Sequence, residues 1–273
     1  MNYEIRLYLD QLTAKSAPLE LKKTYARAIY IAEGSLAIKN GTSTRLTLSQ
    51  NSAISIPELF TLSGGSIEAT ILRWELVDEV DRTNEIQSKQ STLLLAAKIA
   101  LGDLSQYIIR CDRVDFPPHG EALTHKHQGG GIRCLLFGSI QIHTMGNIHA
   151  YQPQGAWFEA GPESVYAETD KVLASAFARV MILPKALIGG KSSIEYVNAD
   201  DISKPKTQRY QIFIDELIQN KLLKEIYMRQ IILALIFAFL LVGCATNFSK
   251  EGGMDDDFRN QIPNAGSSSL SSY

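Results

Sequence analysis

Histidine is confined to one short stretch of this chain. All five imidazoles lie between His119 and His149, and two of them form His125-Lys126-His127. In a β-strand, side chains i and i+2 point to the same face. His125 and His127 would then aim two neutral nitrogens at one point. That arrangement suits a divalent metal such as iron, manganese, zinc, nickel or copper. The alternative is a pair of polar residues on a strand face with no metal. Arg133 follows Gly129-Gly130-Gly131. Pointing inward it would pair a ligand carboxylate in a bidentate way; pointing outward it is an ordinary surface charge. Its neighbour Cys134 then faces the opposite side as a small buried hydrophobe. His119, in Pro117-Pro118-His119-Gly120, and His143 and His149, flanking Met145-Gly146-Asn147, read as surface residues. Trp157 and Phe158 read as core aromatics.

The bulk properties exclude several classes. At 273 residues the chain has room for two ordinary domains. A formal net charge of -2 and a pI near 6.2 leave no basic footprint for nucleic acid. Cys111, Cys134 and Cys244 are too few and too scattered for a disulfide framework. The first residues, Met1 to Arg6, carry no apolar run, so the sequence predicts synthesis in the cytoplasm.

Short strands punctuated by turn residues run through most of the chain. Ala28 to Gly34 and Ser35 to Ile38 precede Asn40-Gly41, a hairpin signal. Arg45 to Leu48, Ala53 to Pro57 and Glu68 to Leu76 follow, then a polar connector from Asp78 to Gln90. Thr92 to Leu101 fits either a short helix or a buried strand. A second set comprises Tyr107 to Val114, the histidine pair, Ile132 to Phe137, and Phe177 to Leu183, with an amphipathic return from Gln211 to Ile218. Gly138-Ser139-Ile140-Gln141-Ile142 repeats the shape of Gly34-Ser35-Leu36-Ala37-Ile38, and similar stretches downstream end at Pro57 and Pro162. The copies lie about a hundred residues apart, the size of one small β domain. The pattern predicts an all-β, duplicated sandwich or barrel.

Gly120-Glu121-Ala122-Leu123-Thr124-His125-Lys126-His127, followed by a strand into Gly138, resembles the first motif of the cupin superfamily. Gln154-Gly155-Ala156-Trp157-Phe158-Glu159-Ala160-Gly161-Pro162 resembles its second motif. The resemblance covers residues 25 to 185 and implies a bicupin: tandem β-barrels of the jelly-roll, double-stranded β-helix type. A degenerate N-terminal barrel would occupy residues 1–90 and a C-terminal barrel with the histidine pair residues 91–220. Cupins often hold a metal with two histidines, a glutamate and a third histidine. Here His125 and His127 match, Gly131 stands at the glutamate's place, Tyr166 stands near that of the third histidine, and the first copy has no histidine. Glu159 and Glu163 lie on or beside the second-motif strand, and either would supply a carboxylate instead; both otherwise read as solvated rim charges. The expected ligand set is thus His125, His127 and Glu159, with Arg133, Gln128 and Tyr166 toward a substrate.

The last part of the sequence has a different character. Met228-Arg229-Gln230, the apolar run Ile231 to Val242 and Leu241-Val242-Gly243-Cys244 resemble a bacterial lipoprotein signal peptide, with Cys244 the lipidated residue. Residues 221–273 would then be an apolar helix and a disordered polar tail, or a second reading frame joined to the first. Translated as written, residues 231–243 would anchor the barrels at the inner membrane from the cytoplasmic side.

Two functions follow from the residues and the resemblance. One is a metal-dependent cupin enzyme of the dioxygenase or isomerase type, acting at His125 and His127 on a small, carboxylate-bearing molecule. The other is a non-catalytic cupin that binds or senses a small molecule without metal. A structural lipoprotein rests on the tail alone, and a homodimer is expected only by analogy.

Overall fold

The computed structural model describes residues 2–40, 43–65, 67–80 and 89–218. They form an all-β structure in four sheets. The N-terminal half supplies β1 (Asn2–Leu12), β2 (Leu19–Leu21), β3 (Ala26–Glu33), β4 (Ser35–Asn40), β5 (Ser43–Ser49), β6 (Ala53–Ser55), β7 (Phe60–Gly64), β8 (Ala69–Asp78) and β9 (Ser91–Ala100). The C-terminal half supplies β10 (Tyr107–Phe116), β11 (Glu121–His127), β12 (Gly131–Phe137), β13 (Ile140–Thr144), β14 (Asn147–Tyr151), β15 (Ala156–Glu159), β16 (Val165–Thr169), β17 (Ser175–Pro184), β18 (Ile194–Tyr196) and β19 (Arg209–Leu217).

The strand orders reveal the duplication. The first sheet runs β6-β3-β8-β1-β9 and the second β2-β7-β4-β5. The third runs β15-β12-β17-β10-β19 and the fourth β14-β13-β16-β11-β18. The two halves share one topology, with β18 added at the edge of the fourth sheet. Each half closes by returning its last strand, β9 or β19, beside its own first strand. Thr92 to Leu101, undecided by periodicity, therefore falls on a strand of the N-terminal sheet, although the sequence placed the boundary before it at residue 90. Gln211 to Ile218 does return to a sheet, as β19 against β10.

Alternation along β8 explains how the halves meet. Ala69 and Ile71 point into the N-terminal unit, joining Leu12, Ile29, Ile31 and Leu62 between the first and second sheets. Leu72, Trp74 and Leu76 point the other way and meet Ile132, Cys134, Ala178, Val180 and Ile182 of the third sheet. The first and third sheets thus pack back to back, and Trp74 donates a hydrogen bond of 3.1 Å to the Ile132 carbonyl across the layer. A separate interior, including Phe116, Leu135, Ile142, Trp157 and Phe177, lies between the third and fourth sheets. The final strands cross over: β9 lies beside β15, and β19 beside β6.

Residues 219–273, including the apolar segment 231–243 and Cys244, lie outside the described residues. Among the described residues, no helix is long and apolar enough to cross a membrane.

The repeated Gly-Ser pairs are explained by backbone geometry. Gly34 (φ +77°) and Gly138 (φ +80°) hold equivalent left-handed corners before β4 and β13. A Cβ would lie 1.8 Å from the Glu68 carbonyl oxygen at the first, and 2.2 Å from Ser175 Oγ and 2.5 Å from the Ala174 carbonyl oxygen at the second. Gly146 has a similar φ of +76°, but nothing lies within 4 Å of its Cβ position. Gly34→Ala and Gly138→Ala should therefore each lose about 3 kcal/mol or more, whereas Gly146→Ala loses only the left-handed penalty of about 1 kcal/mol. Urea unfolding of the three variants checks this; equal losses would refute the steric account.

Candidate polar centre of the C-terminal barrel

The strand period delivers the histidine pair to the interior. On β11, His125 and His127 are 6% and 5% exposed, while Lys126 between them faces solvent. A register irregularity between Ala122 and His125 separates the pair from the regular start of the strand. On β12, Arg133 points inward and is fully buried, and Cys134 points into the layer between the barrels. Glu159 ends β15, which pairs Trp157 opposite Arg133 and Glu159 opposite Gly131. The glycine at 131 is sterically required: a Cβ there would lie 2.2 Å from the Val180 carbonyl oxygen.

The resulting contacts define the proton positions. His125 Nδ1 lies 2.7 Å from the Leu123 carbonyl oxygen, which can only accept, so this nitrogen carries the proton. Its Nε2 is left with a lone pair, 3.1 Å from His127 Nε2. In the neutral pair, His127 Nε2–H donates to that lone pair, and His127 Nδ1 faces Ser193 Oγ at 3.5 Å. His127 Nε2 also lies 3.3 Å from Glu159 Oε2. Arg133 is 2.7 Å from the same oxygen and donates to the Gly131 carbonyl at 2.6 Å. Trp157 donates to Glu159 Oε1 at 2.8 Å.

Charge is balanced by pairs. Arg133 and Arg179 sit directly opposite each other on β12 and β17. Each has its own carboxylate: Arg133 meets Glu159, and Arg179 holds Asp112 with two hydrogen bonds of 2.6 and 3.1 Å. Burial pushes the Arg133 guanidinium down to about 10, only partly offset by Glu159. Burial opposes ionisation of Glu159, yet Arg133 and His127 hold its carboxyl far below the usual range. Burial pushes the His127 imidazole down to about 3 and lowers that of His125 as well.

These groups line a chamber of about 20 Å³ with an apolar far wall that includes Phe116, Val165 and Phe177. That volume admits one water-sized group, since a water needs roughly 10–15 Å³ on this measure. Tyr210 of β19, 43% exposed, is the lining residue that reaches solvent and so marks the mouth.

The donor set fits a resident metal poorly. The nitrogen spacing of 3.1 Å is what two imidazoles on one ion would show, given metal–nitrogen bonds of about 2.0–2.1 Å. Glu159 Oε2 accepts no hydrogen bond although buried, but the Arg133 charge already faces it at 2.7 Å. Arg179 adds a second guanidinium to the chamber wall, although Asp112 pairs it. Among the described residues, no three His, Cys, Asp or Glu side chains are arranged to hold a metal ion.

Of the sequence-predicted site residues, the structure brings together His125, His127, Arg133 and Glu159 and separates the others. Gln128 is exposed, with its backbone N–H on the Ser193 carbonyl. Tyr166 lies between the inward-facing Val165 and Ala167 and donates to Glu121 Oε2 instead. Glu163 is half-buried and outside the chamber. His119 and His149 are exposed, and His143 pairs with Glu168 at 3.1 Å. Sequence reasoning missed Asp112, Arg179 and Tyr210, and read Trp157 only as core. A single arginine within the apolar run Ala176 to Leu183 was the available signal for Arg179.

The N-terminal barrel shows the same scaffold without the centre. Gly34 meets Glu68 and Ala69 as Gly138 meets Ala174 and Ser175, which sets the correspondence. Arg73 stands opposite Ile29 as Arg179 stands opposite Arg133, so Ile29 takes the place of Arg133. Leu21 faces Phe60 as His125 faces Val165. Arg73 is bound by Asp10 at 2.7 and 3.1 Å and by Glu75 at 2.9 Å, and Glu75 also holds Arg27 at 2.6 Å. An ion cluster thus stands beside the aliphatic core of that barrel.

The buried neutral histidines give a pH signature. Their folded pKa values lie below the ordinary 6.5, so the unfolded chain binds more protons between about pH 6.5 and 3. The stability they contribute is complete above pH 6.5 and is lost as pH falls below it, for His127 down to about pH 3, by up to about 1.4 kcal/mol per pH unit. Melting curves from pH 7 to 4 should fall more steeply for the wild type than for His127→Gln. Parallel curves would show that the imidazole is not held neutral.

No family model and no curated protein matches the sequence. Solved structures resemble the fold at low identity. AerE from Microcystis aeruginosa is 11% identical with a TM-score of 0.47, the match covering 66% of this chain and 88% of that one. A cupin 2 conserved barrel domain protein from Leptotrichia buccalis is 15% identical with a TM-score of 0.40, covering 67% and 84%. A salicylate 1,2-dioxygenase from Pseudaminobacter salicylatoxidans is 10% identical with a TM-score of 0.42, covering 76% and 75%.

Proposed function

We propose that this chain is a cupin-type small-molecule-binding protein whose binding centre is the chamber of the C-terminal barrel, and that it works without a resident metal. One observation carries the reading: His125, His127, Arg133 and Glu159 converge inside one barrel, at places where the other copy has Ile29 and Leu21 for Arg133 and His125. The chamber admits one oxygen-sized group, so a ligand presents its head group inward and leaves its remainder along Tyr210. Arg133 selects a carboxylate head. Its guanidinium is buried, with Nη1 on the Gly131 carbonyl and Nη2 on Glu159, so its remaining N–H groups are left for the one carboxylate oxygen the chamber admits. The His127 Nε2–H, now turned to His125, is the second donor within reach. The wall of Phe116, Val165 and Phe177 keeps water out and strengthens these contacts.

The metal-dependent reading is favoured by the 3.1 Å nitrogen spacing alone. Elemental analysis of the purified, untagged chain decides between the two. The expected result is far less than one transition metal per chain after supplementation; near one per chain, lost in His125→Ala and His127→Ala, would overturn the metal-free reading. The ligand class is tested by thermal shift with short monocarboxylates such as acetate and propionate. At about 100 times Kd a ligand adds about 2.7 kcal/mol of stability. Arg133→Met alone would leave Glu159 buried and unpaired, at a cost of about 3–5 kcal/mol. The double variant Arg133→Met, Glu159→Gln removes both charges, and it should fold but lose the carboxylate-dependent shift. A shift that persists in it would exclude Arg133 as the carboxylate partner.

A further inference from the structure

A larger pocket of about 260 Å³ lies on the other side of Trp157. Its apolar wall is Ile142, Tyr151, Trp157 and Phe158 from the C-terminal barrel and Leu95 from β9 of the N-terminal barrel. Tyr151 stacks on Trp157 with ring centroids 4.8 Å apart and planes inclined by 26°, which gives the pocket one flat aromatic side. Thr144 and His149 supply polar groups from the β13–β14 hairpin. Glu159 borders both cavities, but its oxygens are engaged by Trp157 on one side and by Arg133 on the other.

The size and chemistry of this pocket select a ligand. An apolar cavity of roughly 150 Å³ accepts a benzene ring. The pocket here is larger and remains below the roughly 300 Å³ at which drug-sized sites begin. One substituted ring is the right scale. The pocket presents no unengaged charge: the one carboxylate on its wall is already paired. A charged group on the ligand would find no unpaired opposite charge in the wall. A hydroxyl or amide N–H on the ring would instead donate to Thr144 Oγ1, whose own hydrogen goes to the Ser164 carbonyl, or meet the His149 imidazole.

We propose that this pocket is a second binding site, walled by both barrels, for an uncharged molecule of one substituted ring with a hydrogen-bonding group. The site goes beyond the carboxylate chamber and does not require it. It gives the N-terminal barrel a part in recognition, since Leu95 closes the pocket from β9. It also touches the chamber chemically: Trp157 lines the ring site and holds Glu159 Oε1, so a ring that displaces the indole loosens the carboxylate facing Arg133 and His127.

Tryptophan fluorescence reads this site directly. The chain has two tryptophans; Trp74 is fully buried between the sheets, so a ligand-dependent change reports Trp157. Titration of the full chain with benzyl alcohol should give a saturable change with a Kd on the order of 1 mM. Leu95→Lys, on a half-buried strand position where a lysine stem can reach solvent, should weaken it about tenfold, and Leu95→Met should restore it to within about twofold. A change that stays linear in ligand, or a Kd unaltered by Leu95→Lys in a variant with unchanged urea midpoint, would overturn the proposal. Acetate, followed by thermal shift, reads the chamber separately. Acetate binding without benzyl alcohol binding overturns the ring site and leaves the chamber reading intact; the reverse result keeps the ring site and removes the chamber reading.

Discussion

The back-to-back packing of the first and third sheets is the constraint on which the rest of the molecule depends. It gives the central strands β1, β3, β8, β10, β12 and β17 two buried faces. A strand in a half-solvated sheet can turn a charge outward. Along their buried stretches these strands cannot, so a charge carried there must find a partner inside a barrel. Burial of an unpaired charge would cost several kcal/mol, a large part of the net stability of a domain. The arginines at 73, 133 and 179 each meet a carboxylate for this reason. The packing therefore creates the polar centre as much as it creates the core: Ile132 and Cys134 fix β12 in the apolar layer, and Arg133 between them has no direction left but inward.

Two barrels of one topology solved this problem in different ways. In the N-terminal copy Arg73, Asp10, Glu75 and Arg27 satisfy one another, and Ile29 and Leu21 occupy the places of Arg133 and His125. In the C-terminal copy Arg179 and Asp112 close off one pair, and the remaining Arg133–Glu159 pair is met by two neutral imidazoles. Neutral imidazoles can reverse donor and acceptor roles by moving one proton between ring nitrogens. Carboxylate–guanidinium pairs have no such freedom. The C-terminal copy thus has adjustable hydrogen bonds at places where the N-terminal copy has Ile29 and Leu21.

The legible parts of the sequence were those governed by local rules. His125 and His127 were placed on one buried face by the strand period alone, and Gly34 and Gly138 marked the duplication because only glycine fits those corners. β1 was missed because its inward face carries Arg6, Tyr8 and Asp10, so its alternation between apolar and polar looks like that of a solvated strand. β9 was ambiguous because only Ser91 and Ile99 of its ten residues are buried. Gln128 and Tyr166 were assigned by position in a motif. Gln128 follows the inward His127 by one residue, so the strand period turns it outward, and Tyr166 stands between the inward Val165 and Ala167 on β16. Arg179 and Asp112 come from strands far apart in sequence, and their pairing needed the sheet order.

The position of Glu159 explains why the two cavities belong to one system. β15 is a short edge strand: it pairs on one side with β12 and lies beside β9 on the other. Its inner neighbour brings Arg133 to the carboxylate, and its outer neighbour brings Leu95 to the pocket beyond Trp157. Edge strands are the least constrained elements of a sheet, since half of their backbone groups lie outside the ladder. Glu159 is thus held on a strand with one neighbour in its own sheet, whereas Arg133 and Arg179 sit on β12 and β17, each paired on both sides. The duplicated fold sets the chamber inside one sheet pair and the wider pocket at the seam where β9 lies beside β15.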